Sequence, residues 1–339
     1  MKGILLNNLG SPDSTETNDV KKYLGEFLMD ERVIDIPQWK RWLLINGIIL
    51  NIRPKKSGAA YKKIWTEEGS PLVVFSERFV GKVAKKVKHP VALAMRYGSM
   101  SIEKGIKELV DKGVTELFLA PLYPHYAMSS YESVVTKAEE IIADKYPEVK
   151  LDVLPPFYNK PDYIKAMCNN IENHLKDFDY DHILFSYHGI PERHILKSDV
   201  TKSHCKINGS CCDRNSVAHH TCYRHQCFET TKEIVKTLNL EEGTYSNSFQ
   251  SRLLKDPWLK PYTDFELEKL PSIGKKKLAV ITPAFVSDCL ETLEEIAMDG
   301  KEEFMKFGGT NFKHIPCMND NDDWVDVMVS WIYKWENEK

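Results

Sequence analysis

Short β-rich runs alternate with amphipathic helical patterns along this whole chain, and no other feature restricts its fold as much. Residues 3–8, 91–97, 116–122, 150–154, 182–187, 243–249, 277–282 and 312–316 read as strands. Segments 76–87, 102–112, 133–145, 230–238, 290–305 and 324–335 carry apolar residues at spacings of three and four, the period of a helix with one buried face. A helix between two strands returns the chain to the same edge direction, so the alternation predicts α/β architecture with parallel sheets. Eight strands divide into two sets of four at PPFYNKP, residues 155–161, where prolines and an aromatic loop break the pattern. The halves share their order of strands and helices, which predicts two similar wound domains facing across a cleft. The expected boundaries are 1–157, 158–319 and a last helix over 320–339 that packs back on the body.

At 339 residues the chain is too long for one ordinary core. Its 42% hydrophobic and 28% charged content excludes wholesale disorder, a fibre and a polytopic membrane protein. Lysine and arginine number 46 against 49 acidic residues, and no basic block offers a nucleic-acid footprint. The opening MKGILLNNLGSP lacks the basic flank and long apolar core of a secretory signal, so a cytoplasmic location is expected. WLLINGIILNI, residues 42–52, is too short to span a bilayer, but it can serve as an apolar lip, about residues 37–56, on the inner membrane face.

Open α/β sheets bind ligands beyond the carboxyl ends of their strands, so the residues there carry most information. His188 follows the apolar run HILFSY at such an end and could exchange a proton near neutral pH; by position alone it could equally cap a loop. Asp288, Glu291 and Glu295 stand at i, i+3 and i+7, on one helical face. Such a face is more often simply solvated, yet towards a cleft it would attract a divalent cation or relay protons. Trp39, Trp42, Tyr61, Tyr97, Tyr126 and Trp258 supply aromatic faces, and Arg53 and Arg96 could bind carboxylates, as a flat anionic ligand would require.

Five of the eight cysteines fall within 23 residues as C-x5-C-C-x9-C-x4-C, with His204, His219, His220 and His225 interleaved. In a reducing compartment this density reads as a 2Fe-2S or zinc site before it reads as disulfides, with reduced cysteines in an inserted loop as the plain alternative. The chain contains no GxxxxGK[ST], no GxGxxG after a strand and no GxSxG, so no nucleotide cofactor is expected.

Several blocks in combination resemble the ferrochelatases, enzymes that insert ferrous iron into a porphyrin. They are GILLNNLGSPDS, GSPLVVFSER, LAMRYG, LAPLYPHYAMSSYES, FSYHGIPER, SNSFQSRLLKDPWLKPYTD and PAFVSDCLETLEEI, spread over nearly the whole chain. The resemblance implies two Rossmann-like domains with four-stranded parallel sheets and the porphyrin in the cleft. It makes His188 and Glu291 the catalytic pair and the groups that meet the substrate Fe2+, with Asp288 and Glu295 as a proton or metal relay on a helix widened to π form. It places Arg53, Ser70, Ser129 and Ser130 at propionate or mouth positions, and Arg96, Tyr97, Gln250 and Trp258 on the cleft lining, beside Tyr61 and Tyr126. Leu9 stands where some members carry a methionine, and Cys289 where histidine is common.

Some ferrochelatases bind an iron-sulfur cluster through an internal cysteine segment, and CYRHQC (222–227) resembles that type. The implied 2Fe-2S ligands are Cys205, Cys212, Cys222 and Cys227, with Cys211 as alternate. The NLGSP opening and the apolar lip resemble the enzymes that use protoporphyrin IX rather than coproporphyrin III, with peripheral membrane contact and no nucleic-acid partner. The rival readings are a tetrapyrrole- or metal-binding module without turnover, an iron-sulfur or zinc protein, and a cobalt or sirohydrochlorin chelatase.

Overall fold

The computed structural model describes residues 1–207, 210–252 and 256–337. Positions 253–255 of the SNSFQSRLLKDPWLKPYTD block lie outside the described residues, as do 208 and 209 of the cysteine segment. The chain divides into two units, the first comprising residues 1–123, 128–155 and 319–339, the second 124–127 and 156–318.

In the first unit, β1 (Lys2–Asn8), β2 (Val91–Met95), β3 (Glu116–Pro121) and β4 (Lys150–Val153) form a parallel sheet in the order β2-β1-β3-β4. The second unit repeats this order as β6-β5-β7-β8, with β5 at His182–His188, β6 at Tyr245–Gln250, β7 at Lys277–Ile281 and β8 at Asn311–His314. Both sheets are thus parallel, four-stranded and flanked by helices, as the alternation required. The inner strands are near-continuous apolar runs because helices cover both faces. Leu5 and Leu119 pack with Ile106, Leu109 and Val134 in one core, and Leu184, Leu278 and Val280 with Leu267, Ile296 and Phe304 in the other.

The chain end returns to the first unit as the helix Asp322–Asn337. Trp324 stacks on Phe79 and Trp335 on Phe118, and the Trp335 indole donates to Asp152 at 2.8 Å.

The apolar run 42–52 is helical. Gln38–Leu44 passes into a π turn at Ile45–Ile49 and then into Leu50–Ile64. Pro54 sits inside the last stretch, where its missing N–H removes one bond of the helical ladder, and the wider turn lies just before it. Ile45 and Leu50 pack with Leu28 and Ile34, whereas Trp39, Trp42, Leu43, Ile48 and Ile52 face outwards, Trp39 at 64% and Ile52 at 67% exposure. Among the described residues, no helix is long and apolar enough to cross a membrane.

Candidate active site

In the second unit the strand order reverses beside β5, the position where doubly wound sheets bind ligands. Residues 182–187 of β5 are buried, and the strand opens to partial exposure only at its last residue, His188. The ring Nδ1 lies 2.7 Å from the Gly189 carbonyl. A carbonyl can only accept, so Nδ1 carries the hydrogen and the lone pair of the neutral ring is on Nε2. Burial holds the His188 pKa below its ordinary value, against the opposing charge of Glu291 and the Gly189 carbonyl. The result is a histidine that is neutral near pH 7, with one nitrogen committed to structure and the other available.

Gln250 ties this strand end to the acidic segment. It pairs with His188 across β5 and β6, and its carbonyl accepts the Gly189 N–H at 2.7 Å. Its side chain accepts from the Ser186 hydroxyl at 2.9 Å and donates to the Glu291 carbonyl at 3.0 Å and to the Glu295 carboxylate at 3.4 Å. A Cβ on Gly189 would come within 2.6 Å of the Gln250 carbonyl oxygen and 3.3 Å of the Trp258 ring, so this close approach requires glycine.

The segment read as a helix over 290–305 is a π-helix at Glu291–Gly300, the widened form that the resemblance implies, followed by an α-helix at Lys301–Lys306. The wider turn changes the expected stripe. Glu291 and Glu295 both lie on the π segment, whereas Asp288 lies before it, 3% exposed, accepting from the Thr292 hydroxyl at 2.8 Å and the Cys317 N–H at 3.3 Å. The Ser251 hydroxyl donates to Glu295 from a left-handed backbone with φ of 62°, a local cost of the kind found at functional sites. Burial, reinforced by Glu291, pushes the Glu295 carboxyl up to about 7, with Ser251 opposing. Glu295 also lines a recess of about 240 Å³ with Gln250, Ser251, Arg252 and Asp299. Cys289 is buried beside Glu291, and burial followed by that charge keeps its thiol pKa well above the ordinary range.

In the first unit, Arg96 and Tyr97 are parts of a network that the sequence did not suggest. One Asp30 oxygen accepts from the Ser133 hydroxyl at 2.5 Å, Arg96 at 2.6 Å and Tyr97 at 2.9 Å. Tyr97 is 1% exposed with its ring edge on Phe27, so the structure gives it to the network rather than presenting its face. Burial alone would raise the Asp30 pKa, but hydrogen bonds from Ser133 and the Arg32 N–H, with the Arg96 charge, hold it below its ordinary value. Arg53 is exposed, Leu9 is half-buried, and Ser129 and Ser130 are half-buried in a π turn at Met128–Glu132. Ser70 precedes the helix Pro71–Lys86, and Tyr61 packs edge-on against Tyr23 and Trp65. Tyr126, in the second unit, is anchored through its N–H to Gln226 at 2.7 Å.

All five clustered cysteines are buried and free. The Cys222 thiol is in hydrogen-bonding contact with Cys212 and Cys205, and Cys227 engages the Tyr223 side chain. Burial, with Cys222 and Asp199 nearby, pushes Cys205 up to about 12. The Cys222 thiol is raised by its hydrogen bond to Cys212 and by burial. His204 and His219 both meet the Cys211 carbonyl, and His225 meets the Cys212 carbonyl at 3.0 Å. The histidines thus engage backbone around the cysteines. Among the described residues, no three His, Cys, Asp or Glu side chains are arranged to hold one metal ion.

The two-sheet fold recurs in solved structures of other proteins. The sirohydrochlorin chelatase SirB from Bacillus subtilis subspecies spizizenii, solved with cobalt, shares the fold at a TM-score of 0.55 and 9% identity, over 98% of this chain and 94% of that one. Within that architecture the sequence is specific: the chain belongs to the ferrochelatase family, whose model, Ferrochelatase, matches residues 1–335. It is 47% identical to the ferrochelatase of Opitutus terrae over 98% of this chain and 97% of the relative. It is 46% identical to that of Stutzerimonas stutzeri over 97% and 96%. Members of this family insert a metal ion into a porphyrin and serve porphyrin and haem biosynthesis.

Proposed function

We propose that the protein inserts Fe2+ into protoporphyrin IX, releasing two protons and forming protohaem, with His188 as the base. The observation that carries this reading is a neutral His188 whose Nε2 lone pair is free while Nδ1 is bound to the Gly189 carbonyl, next to the charge of Glu291. His188 Nε2 accepts a pyrrole N–H proton; Glu291 stabilises the imidazolium and meets the incoming Fe2+. Glu295, with its pKa near 7, can both take and release a proton at physiological pH, so it passes protons towards the recess that it lines. Asp288, bound to Thr292 and Cys317, supports the turn before this pair and extends the relay.

The exposed Trp39, Trp42, Leu43, Ile48 and Ile52 favour protoporphyrin, the less polar substrate, and peripheral contact with a membrane surface. An anaerobic assay with Fe2+ and each porphyrin tests the reading. Catalytic haem formation with protoporphyrin IX is expected. A preference for coproporphyrin III overturns the substrate, and binding without turnover overturns the enzyme.

The composition of the segment supports an iron-sulfur group, since soft thiolates are its usual ligands and Cys222 is in hydrogen-bonding contact with Cys212 and with Cys205. We assign Cys205, Cys212, Cys222 and Cys227 as ligands of a 2Fe-2S cluster, with the Cys212 contact to Cys222 favouring it over Cys211. The bound cluster supplies a stable crosslink between the loop and the helix that starts at Tyr223. Visible charge-transfer bands and two irons with two sulfides per chain are expected in anaerobically purified protein; a colourless, iron-free chain refutes the assignment.

A further inference from the structure

We propose that Tyr223 is a positioning residue for His188, holding by its hydroxyl the peptide unit that orients the catalytic ring; this rests on the reading of His188 as base. The Tyr223 hydroxyl donates to the His188 carbonyl at 2.8 Å. The N–H of the same peptide unit, that of Gly189, donates to the Gln250 carbonyl at 2.7 Å. The next carbonyl, that of Gly189, accepts from the His188 Nδ1. Three hydrogen bonds therefore fix the backbone plane and, through it, the tautomer and direction of the ring. Without the hydroxyl, the His188 carbonyl loses this donor, the plane can tilt, and the Gly189 carbonyl moves relative to Nδ1.

Tyr223 is itself held rigidly. It opens the helix Tyr223–Leu238 and is only 5% exposed. Its ring meets His125 edge-on at 5.7 Å, and His125 is fixed by Thr230 at 2.9 Å and by the edge of Tyr187. Tyr223, Cys227 and Thr230 stand at i, i+4 and i+7, so one helix face carries the whole brace. Since Tyr223 directly follows Cys222, the cysteine segment fixes the start of the helix that orients His188.

The test is Tyr223→Phe, which deletes only the hydroxyl, measured beside His188→Ala and the double variant. Under saturating Fe2+, kcat is expected to fall about tenfold, with the porphyrin KM within about twofold, because the loss falls on a group that acts in the transition state. Two-dimensional 1H–15N spectra of the His188 ring should change from a fixed Nδ1–H tautomer to a mixture of both. In the His188→Ala background, adding Tyr223→Phe should cost less than about twofold, as expected for residues that act as one unit. Normal kcat in Tyr223→Phe, an unchanged His188 tautomer, or a loss that persists without the imidazole overturns the positioning role. Near-normal turnover of His188→Ala instead overturns the base assignment, and the ring spectra then decide the positioning claim alone. Should Tyr223→Phe not fold, difluorotyrosine at position 223 strengthens the donation without removing it: movement of the His188 resonances is expected, and stationary resonances overturn the proposal.

Discussion

Glu295→Gln should make the protein more stable at high pH and leave it nearly unchanged at low pH. The carboxyl is raised from 4.5 to about 7 by burial and by Glu291. A group whose folded pKa lies above its unfolded value contributes stability below the unfolded value and loses it as pH rises through the folded one. The wild type should therefore lose stability between about pH 4.5 and 7.5, to a limit of about 3 kcal/mol at 1.36 kcal/mol per unit. Glu295 is only partly withdrawn from solvent, so about 2 kcal/mol is the working figure. The neutral amide keeps an oxygen to accept from Ser251 and Gln250 and has no proton to lose. Calorimetric melting at pH 4, 5, 6, 7 and 8 should give nearly equal temperatures at pH 4 and an advantage of roughly 4–8 °C for the variant at pH 8. The reasoning fails if the difference between variant and wild type does not change with pH, or if it grows towards acid. If the same carboxyl serves the proposed proton relay, the stabilised variant should also turn over more slowly at pH 8.

Gly189→Ala should cost about 2 kcal/mol, since its Cβ would press on the Gln250 carbonyl and strand backbone cannot yield as a side chain can. Urea unfolding reads this cost, and an unchanged midpoint would contradict the packing described here. Asp30→Asn removes the charge that Arg96, Tyr97 and Ser133 share and should destabilise the first unit by about 3 kcal/mol at neutral pH. Its pKa is depressed, so the wild-type advantage is fully present above about pH 4 and should shrink progressively as pH falls below that towards the folded-state pKa; an advantage that does not change between about pH 5 and strong acid refutes the network as its source. Trp42→Ser, on the exposed face of the apolar helix, should weaken co-sedimentation with anionic liposomes severalfold while leaving turnover on detergent-dispersed porphyrin unchanged. Equal sedimentation of variant and wild type would remove the lip from any role in membrane contact.

The sheets were legible in the sequence because their inner strands are short, buried apolar runs, and the edge strands followed from the alternation; each of the eight expected runs coincides with an observed strand. Helical periodicity located 102–112 and 133–145 closely. It placed the start of Pro71–Lys86 five residues late, since the proline and apolar PLVVF look strand-like out of context. The run WLLINGIILNI reads in the sequence only as an apolar lip; its helical form, with a π turn at residues 45–49, is not legible there. His188 stood out because a titratable residue ends an otherwise apolar strand. Asp30, Ser133 and Ser251 did not, because their roles depend on partners 44 to 103 residues away or on a backbone angle that no local pattern announces. Tyr223 was hidden among the cysteines for the same reason.

The two units repeat one topology but not one chemistry, and the comparison shows what was added. In each, the segment after the third strand includes a π stretch, Met128–Glu132 after β3 and Glu291–Gly300 after β7. A π turn costs hydrogen-bond geometry, so its appearance at the same place in both halves means that the fold tolerates a widened helix start there. In the first unit the short π turn is tied down: Glu132 pairs with Arg32, and adjacent Ser133 feeds the Asp30 network. In the second unit the stretch is twice as long; its Glu291 carboxylate acts on His188, and Glu295 is held by Ser251 and Gln250. At the corresponding strand end the first unit has Asn8, whose side chain donates to Ser76 and cannot titrate, where the second has His188. The second unit thus differs from the first in two respects: a titratable residue ends its central strand, and a longer π segment carries Glu291 and Glu295.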